Sequence, residues 1–229
     1  MSAIRSLRPM RRVHEQLRRA VCLLAFIAIG AVITSDARAA NSAETFVQSS
    51  IDKTYVILNE GPLNASERQA QFRVLLLSVV DVRRVALFTL GPYARAGAQA
   101  DLETFERAFG DFLSAVYQRG LETYASPKVT GSTERAPDDV IVNVTATAPN
   151  GKRPPLRLAF RVRGASGGGQ LITDLQVEGA WLAIVQRAEF TAYLQQRGAN
   201  IAGLAMELQK RSAQIRLAQS ESEINRRER

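Results

Sequence analysis

The spacing of apolar residues changes once along the chain, near Pro127, and the change divides it into a helical part and a sheet part. Before Pro127 the apolar positions recur at three and four residues, the spacing of one helix face. Val47, Ile51, Tyr55 and Leu58 predict a helix over Ala43–Leu58, ended by Asn59-Glu60-Gly61-Pro62. A second helix is expected near Ser66, which can cap it, and carries Phe72, Leu75 and Leu76 into the dense run 74–80, read as a buried helix end. Asp81 can cap a third helix bearing Val82, Val85 and Phe88, stopped at Gly91-Pro92. A long fourth helix, from about Asp101 to Tyr124, aligns Phe105, Phe109, Phe112, Leu113, Val116 and Tyr117 on one face. After Pro127 the period becomes two. Residues 128–133 read as a short strand, Val140, Val142, Val144 and Ala146 as the inner face of another, and Leu156, Leu158, Phe160 and Val162 as a third. In Leu171–Glu178, Leu171, Thr173, Leu175 and Val177 alternate with Ile172, Asp174, Gln176 and Glu178, the pattern of a half-buried strand. Gly179 then breaks the strand into a helix with Leu182, Val185, Glu189 and Tyr193 on one stripe. Gly198 ends that helix, a last one spans Asn200 to about Leu208, and the remainder from Gln209 is polar, a solvated helix or disordered tail. The whole predicts an α+β fold, a curved antiparallel sheet whose greasy face is covered by helices.

Charge alters this picture only at the N-terminus. Six arginines (Arg5, Arg8, Arg11, Arg12, Arg18, Arg19) precede an apolar run over 20–33 and a small-x-small site at Ala37 and Ala39. That is the layout of a secretory signal, with cleavage expected after Ala39. The run is shorter than the roughly 20 residues a spanning helix needs, which argues against a membrane anchor. The absence of cysteine at the cut argues against a lipoprotein. The expected organisation is a leader over 1–39, one domain over 40–208 and a polar tail over 209–229. The leader holds seven of the 30 Lys+Arg and two of the 22 Asp+Glu, so the formal charge of +8 falls to 23 against 20, or +3. A nucleic-acid partner is therefore not expected.

The sole cysteine, Cys22, and the sole histidine, His14, also lie in the leader. The remainder is expected to hold no disulfide, no thiol nucleophile, no histidine-based triad, no His or Cys metal site and no cofactor.

Several segments resemble one family in order and spacing. DVRRVALFTLGPYAR (81–95) resembles the helix–Leu-Gly-x-Tyr-x-Arg segment of the MlaC family of periplasmic phospholipid-binding proteins. FERAFGDFLSAVYQRGLETY (105–124) resembles the family's next helix. DLQVEGAWLAIVQRAEF (174–190) resembles its Asp-x-x-Val-Glu-Gly…Arg-x-x-Phe signature, closed by Gly198, Ile201 and Leu204. The resemblance covers about Ala43 to Leu208. It departs where the family usually has a serine after the signature glycine; here Ala180-Trp181 stands. The resemblance implies an NTF2-like fold with acyl chains in a cavity between sheet and helices. It implies a carrier exchanging phospholipid between an outer-membrane lipoprotein–porin complex and an inner-membrane ABC transporter with an MCE-domain protein. A subset of the family is associated with hopanoids, so a hopanoid or other polycyclic lipid is the alternative cargo.

Such a pocket is expected to be lined by Val142, Val144, Leu158, Phe160, Val162, Leu175 and Val177 of the sheet, and by Phe88, Tyr93, Phe109, Phe112, Val116, Tyr117 and Trp181 of the helices. The same residues also suit a solid core. Arg84 and Arg95, with Arg83, are candidates for a basic rim. Arg187 has two readings, a phosphate contact at the mouth or a pair with Asp174 or Glu178. Two rival classes remain: a small enzyme on a similar fold, using for example Asp81 with Tyr93 or Tyr117, and a ligand-free protein adaptor.

Overall fold

The computed structural model describes residues 33–59, 63–121, 125–147 and 154–227. The apolar and arginine-rich part of the leader, residues 1–32, and Tyr124 lie outside them. Helices α1 (Ile33–Asn59), α2 (Ala65–Val79), α3 (Val82–Leu90), the single turn α4 (Tyr93–Ala96) and α5 (Gln99–Leu121) come first. Strands β1 (Ala125–Ala136), β2 (Asp139–Thr147), β3 (Leu156–Gly164), β4 (Gln170–Val177) and the two-residue β5 (Ala180–Trp181) follow, then α6 (Leu182–Gln196) and α7 (Ile201–Arg227). The strands form one antiparallel meander in chain order. The fold is α+β, as the change of period at Pro127 predicts.

Local chemistry sets the element ends. Asn64, not Ser66, caps α2. Its side chain accepts from the Glu67 N–H at 3.0 Å while the Glu67 carboxylate accepts from the Asn64 N–H at 2.9 Å, a reciprocal capping box. Asp81 caps α3 through the Arg84 N–H. Gly91 closes α3 at φ +59°, where an added Cβ would meet the side chains of Thr191 and Arg187. Val80 forms a bridge with Ile172, and the Asp81 N–H donates to the Ile172 carbonyl at 2.9 Å. The joint between α2 and α3 is thereby tied to β4.

Four predicted patterns come out differently. The run 74–80 is not buried all round, because Val74 is 67% exposed while Leu76 is buried. In β4 the register shifts between Arg161 and Val162. Val162 faces Ile172, Arg161 faces Asp174, and Thr173 is the extra residue of a bulge. That shift of one position moves the buried side chain from the predicted Leu171 and Thr173 to Ile172, and leaves Leu175 opposite Phe160 and Val177 opposite Leu158. Third, Gly179 does not lead straight into a helix. Glu178 and Gly179, with φ of +47° and +88°, form a two-residue hairpin, and Ala180–Trp181 pairs back on β4 before α6 begins. Finally, α6 buries Ala183, Phe190 and Leu194, while Val185 is exposed and Glu189 pairs with Arg211. The helix is rotated from the predicted stripe because its inner positions follow the spacing 183, 190, 194.

The interior holds two separate clusters. One is helical. Phe105, Phe109 and Leu113 of α5 meet Phe190 and Leu194 of α6, Leu204 and Leu208 of α7, and Phe72, Leu76, Val85 and Leu90 of α2 and α3. Phe109 stacks on Phe105 at 5.8 Å, and both rings stand nearly perpendicular to that of Phe190. The other joins Ala43 and Val47 of α1 to Val140, Val142, Val144 and Val162 of the sheet. α1 is also fastened to the edge strand by polar contacts: Gln48 accepts from the Val129 N–H at 3.0 Å and Glu44 from the Ser132 hydroxyl at 2.7 Å. α7 runs on through the predicted polar tail, with Ser212 and Gln219 buried.

Candidate functional site

Between the two clusters lies a cavity of about 490 Å³. Ile51, Tyr55 and Leu58 of α1 and Leu75, Leu76 and Val79 of α2 form one wall. Leu113, Val116 and Tyr117 of α5, with Leu182, Ala183 and Gln186 of α6, form a second. The floor is the sheet, through Ala146, Leu156, Leu158, Phe160, Ile172, Leu175 and Val177. The stripe on α1 serves both purposes. Its first half, Ala43 and Val47, packs on the sheet, and its second half, Ile51 to Leu58, faces the void.

Six of the fourteen predicted lining residues are brought together here: Val116, Tyr117, Leu158, Phe160, Leu175 and Val177. Eight do not line the cavity. Phe109 is wholly buried in the helical cluster, and Phe112 and Tyr93 pack against that cluster. Val142, Val144 and Val162 are sealed beneath α1. Trp181 sits half-buried in β5 at the start of α6. Phe88 is 41% exposed and lies under the Arg187 guanidinium, 4.9 Å from ring centre to Cζ. Each has the apolar chemistry of a wall, but Phe109, Phe112, Tyr93 and the three valines are taken up by packing against a neighbouring element, while Phe88 and Trp181 lie toward the surface. The lining residues missed by sequence reasoning include those of α1 and α2, together with Leu113 of α5, Leu182, Ala183 and Gln186 of α6, and Ala146, Leu156 and Ile172 of the sheet. For α1 and α2 the unbroken stripe from Val47 to Leu58 and the dense run 74–80 were the available signal.

The arginines are also placed elsewhere. Arg84 pairs with Asp81 at 2.9 Å, Arg95 is exposed on α4, and Arg83 meets Glu106 at 3.2 Å. Arg187 takes neither predicted partner. Glu178 accepts from the Arg157 N–H and guanidinium at 2.6 and 3.0 Å. Asp174 Oδ1 accepts from the N–H groups of Leu175 and Ala183 at 2.9 and 3.1 Å. The second of these bonds caps α6 from a neighbouring strand, since Trp181 at the N-cap offers no acceptor.

Among the described residues the lining contains one carboxylate, Asp174, and no lysine or arginine. Burial raises the Asp174 carboxyl above the usual carboxylate range, against the two amides that favour its charge. Burial also raises the Tyr117 hydroxyl well above its ordinary value, with the Asp174 charge adding to it. Outside the cavity, Asp139 accepts from Arg161 at 2.9 and 2.6 Å and from Arg163 at 2.7 Å, which holds its carboxyl far below the usual range. The described residues contain no cluster of metal-ligating side chains and no helix long and apolar enough to cross a membrane.

A meander with helices packed on one face, and an apolar chamber between the layers, defines an α+β protein built around an internal cavity. Residues 48–210 match the family described as MlaC protein, and the chain belongs to that family. A solved structure from Ralstonia solanacearum, of a phospholipid-binding protein in complex with a phospholipid, has the same fold. It is 22% identical, with a TM-score of 0.62, covering 76% of this chain and 98% of that one.

Proposed function

We propose that this protein binds lipid and carries it, as the soluble component of an MCE-type ABC transport system, between the outer and inner membranes. The observation that carries this reading is the apolar cavity between sheet and helices in a member of the MlaC family. The Ralstonia solanacearum relative, which binds phospholipid, supports the choice of cargo. The basic and apolar leader supports residence in the periplasm after cleavage near Ala39, with residues 40–208 as the lipid-binding body and α7 extending beyond it.

Binding of this kind asks for a dry chamber and no reacting group. A methylene fills about the volume of one water in the liquid, roughly 30 Å³. A cavity of about 490 Å³ therefore takes on the order of sixteen methylenes, the length of one acyl chain. At about 0.8 kcal/mol per methylene, one sheltered chain offsets ~13 kcal/mol of the cost of leaving a membrane. A diacyl lipid needs more room, supplied by separation of the two clusters. We place Leu158, Phe160, Leu175, Val177, Val116 and Tyr117, with Ile51, Leu58, Leu75 and Val79, against the chain. The partners in this reading are the inner-membrane MCE-domain complex and the outer-membrane lipoprotein–porin complex.

Native mass spectrometry of the protein purified from bacterial periplasm without detergent tests the reading. A mass excess equal to a phospholipid, lost on organic extraction, is expected. A bare mass, under conditions that keep lipid on a control carrier, would refute it.

A further inference from the structure

α6 is apolar on two opposite faces. The inner one sets Leu182 and Ala183 on the cavity and buries Phe190 and Leu194. The outer one carries Ile184, Val185, Ala188 and Ala192, which helical spacing places on a single stripe about two turns long. Ile184 is 57% exposed, Val185 is 52% exposed, and both alanines are exposed as well. A surface helix ordinarily turns charged and polar side chains this way. Trp181, the one tryptophan of the chain, stands half-buried at the head of the stripe.

The charge beside the stripe is unbalanced, and its sign is positive. The acids of the elements around it are already spent. Asp81 at the cap of α3 pairs with Arg84 at 2.9 Å, Glu178 of the hairpin with Arg157 at 3.0 Å, and Glu189 of α6 with Arg211. Asp174 lies on the cavity side of the helix. Arg187 sits on the flank of α6 toward α3, over the exposed ring of Phe88, and pairs with no carboxylate among the described residues. Arg95, one turn beyond Gly91, has no such pair either, and Gly91 itself abuts the Arg187 side chain.

We propose that this outer face of α6, with Arg187 and Arg95 beside it, is where the protein docks on an anionic lipid bilayer. Aliphatic side chains with a tryptophan at one end and arginines on the flank are the chemistry of a helix that lies in a membrane interface. A stable protein interface takes roughly 20–30 residues a side, far more than the stripe offers, whereas a fluid bilayer accepts a few inserted side chains. The docking goes beyond the carrier reading and stands without it. It brings a membrane against the outside of the helix whose inside walls the chamber.

Trp181 makes the docking directly visible. The protein is mixed at low salt with vesicles of phosphatidylglycerol or of phosphatidylcholine, and binding is read by sedimentation and by tryptophan emission. Sedimentation with phosphatidylglycerol vesicles is expected, with a blue shift of the emission, quenching by lipids brominated near the top of the acyl chain, and loss of binding at high salt. Phosphatidylcholine vesicles should bind on the order of tenfold or more weaker, since each arginine near an anionic surface contributes about fivefold. Ile184→Gln combined with Val185→Gln should abolish sedimentation without moving the thermal melt, because both side chains are already half in water. It should also leave lipid in native mass spectra, because neither residue lines the cavity. Arg187→Gln should weaken binding to phosphatidylglycerol about fivefold, and Arg187→Lys should restore it. No sedimentation with either vesicle would leave the stripe to a protein partner and overturn the proposal. Equal binding to the two lipids would overturn it too. So would undiminished binding by the folded double variant, or a blue shift that survives in it, the mark of lipid entering the chamber instead. Quenching of wild-type Trp181 needs no variant, and emission untouched by brominated lipid would refute the docking by itself. Failure of the carrier reading shows separately, as a bare mass in a protein that still docks.

Discussion

Phe109 and Phe160 are the same side chain in opposite surroundings, and comparing their truncation tests whether the chamber is a void or a filled core. Phe109 is wholly buried, stacked on Phe105 at 5.8 Å and edge-on to Phe190 at 6.2 Å. Phe109→Ala removes a ring with neighbours on every side and should cost about 3–5 kcal/mol. With a urea dependence of roughly 2 kcal/mol per molar, the unfolding midpoint falls by about 2 M. Phe160 packs against the sheet cluster on one side and borders the cavity on the other. Phe160→Ala removes atoms that already face space, and only its half-burial is lost, about 1–1.5 kcal/mol. Its midpoint should fall by well under 1 M on the same dependence. The assay is urea unfolding of lipid-free protein followed by fluorescence. Phe160→Asp supplies the functional half of the comparison, because an unpaired carboxylate on the floor makes the chamber hostile to an acyl chain. Folded Phe160→Asp protein should emerge from the periplasm without lipid in native mass spectra. Equal destabilisation by the two alanine substitutions would show that Phe160 is part of a packed core, and the cavity argument would fail.

Three further outcomes follow from the polar contacts. Asp174→Ala removes the acceptor that caps α6 and should cost about 1 kcal/mol, with faster amide hydrogen exchange at Ala183; Asp174→Asn should restore both. Asp139, held low by Arg161 and Arg163, contributes stability that is complete above the carboxylate's unfolded pKa of about 3.9 and is lost as pH falls below it. Urea midpoints measured from neutral to acid pH should therefore drop more steeply for the wild type than for Asp139→Asn. Asn64→Ala breaks the capping box of α2 and should lower stability by about 1 kcal/mol in the same urea assay.

Periodicity carried the architecture, because it reports which face of an element is apolar. The order of helices and strands, Asp81 as a cap and Gly91 as a stop were legible that way. Periodicity does not report what lies opposite that face. Val144 and Leu158 are partners across two strands and read identically in the sequence, yet one is sealed under Ala43 and Val47 and the other opens on the chamber. Phe109 and Val116 share a helix face by spacing, and only the placement of α6 and α7 separates core from wall. The bulge at Thr173 left no mark in composition, although it changes which β4 residues point inward. Asp174 read as a partner for Arg187. Its bonds to two backbone amides depend on a hairpin at Glu178-Gly179 that the sequence disclosed only as a glycine.

The split interior has a mechanical consequence. The helical cluster and the cluster of α1 with the sheet are each complete, and the gap between them is bordered but unfilled. The bridge from Val80 to Ile172, with the bond from the Asp81 N–H, is one of the points that join the two bodies. Ile57 and Leu58 of α1, packed against the helical cluster, and the bond from Ala183 to Asp174 hold the two bodies together at other points around the chamber. The joint at Val80 and Ile172 thus stands between two packed bodies, on the border of the chamber both of them wall.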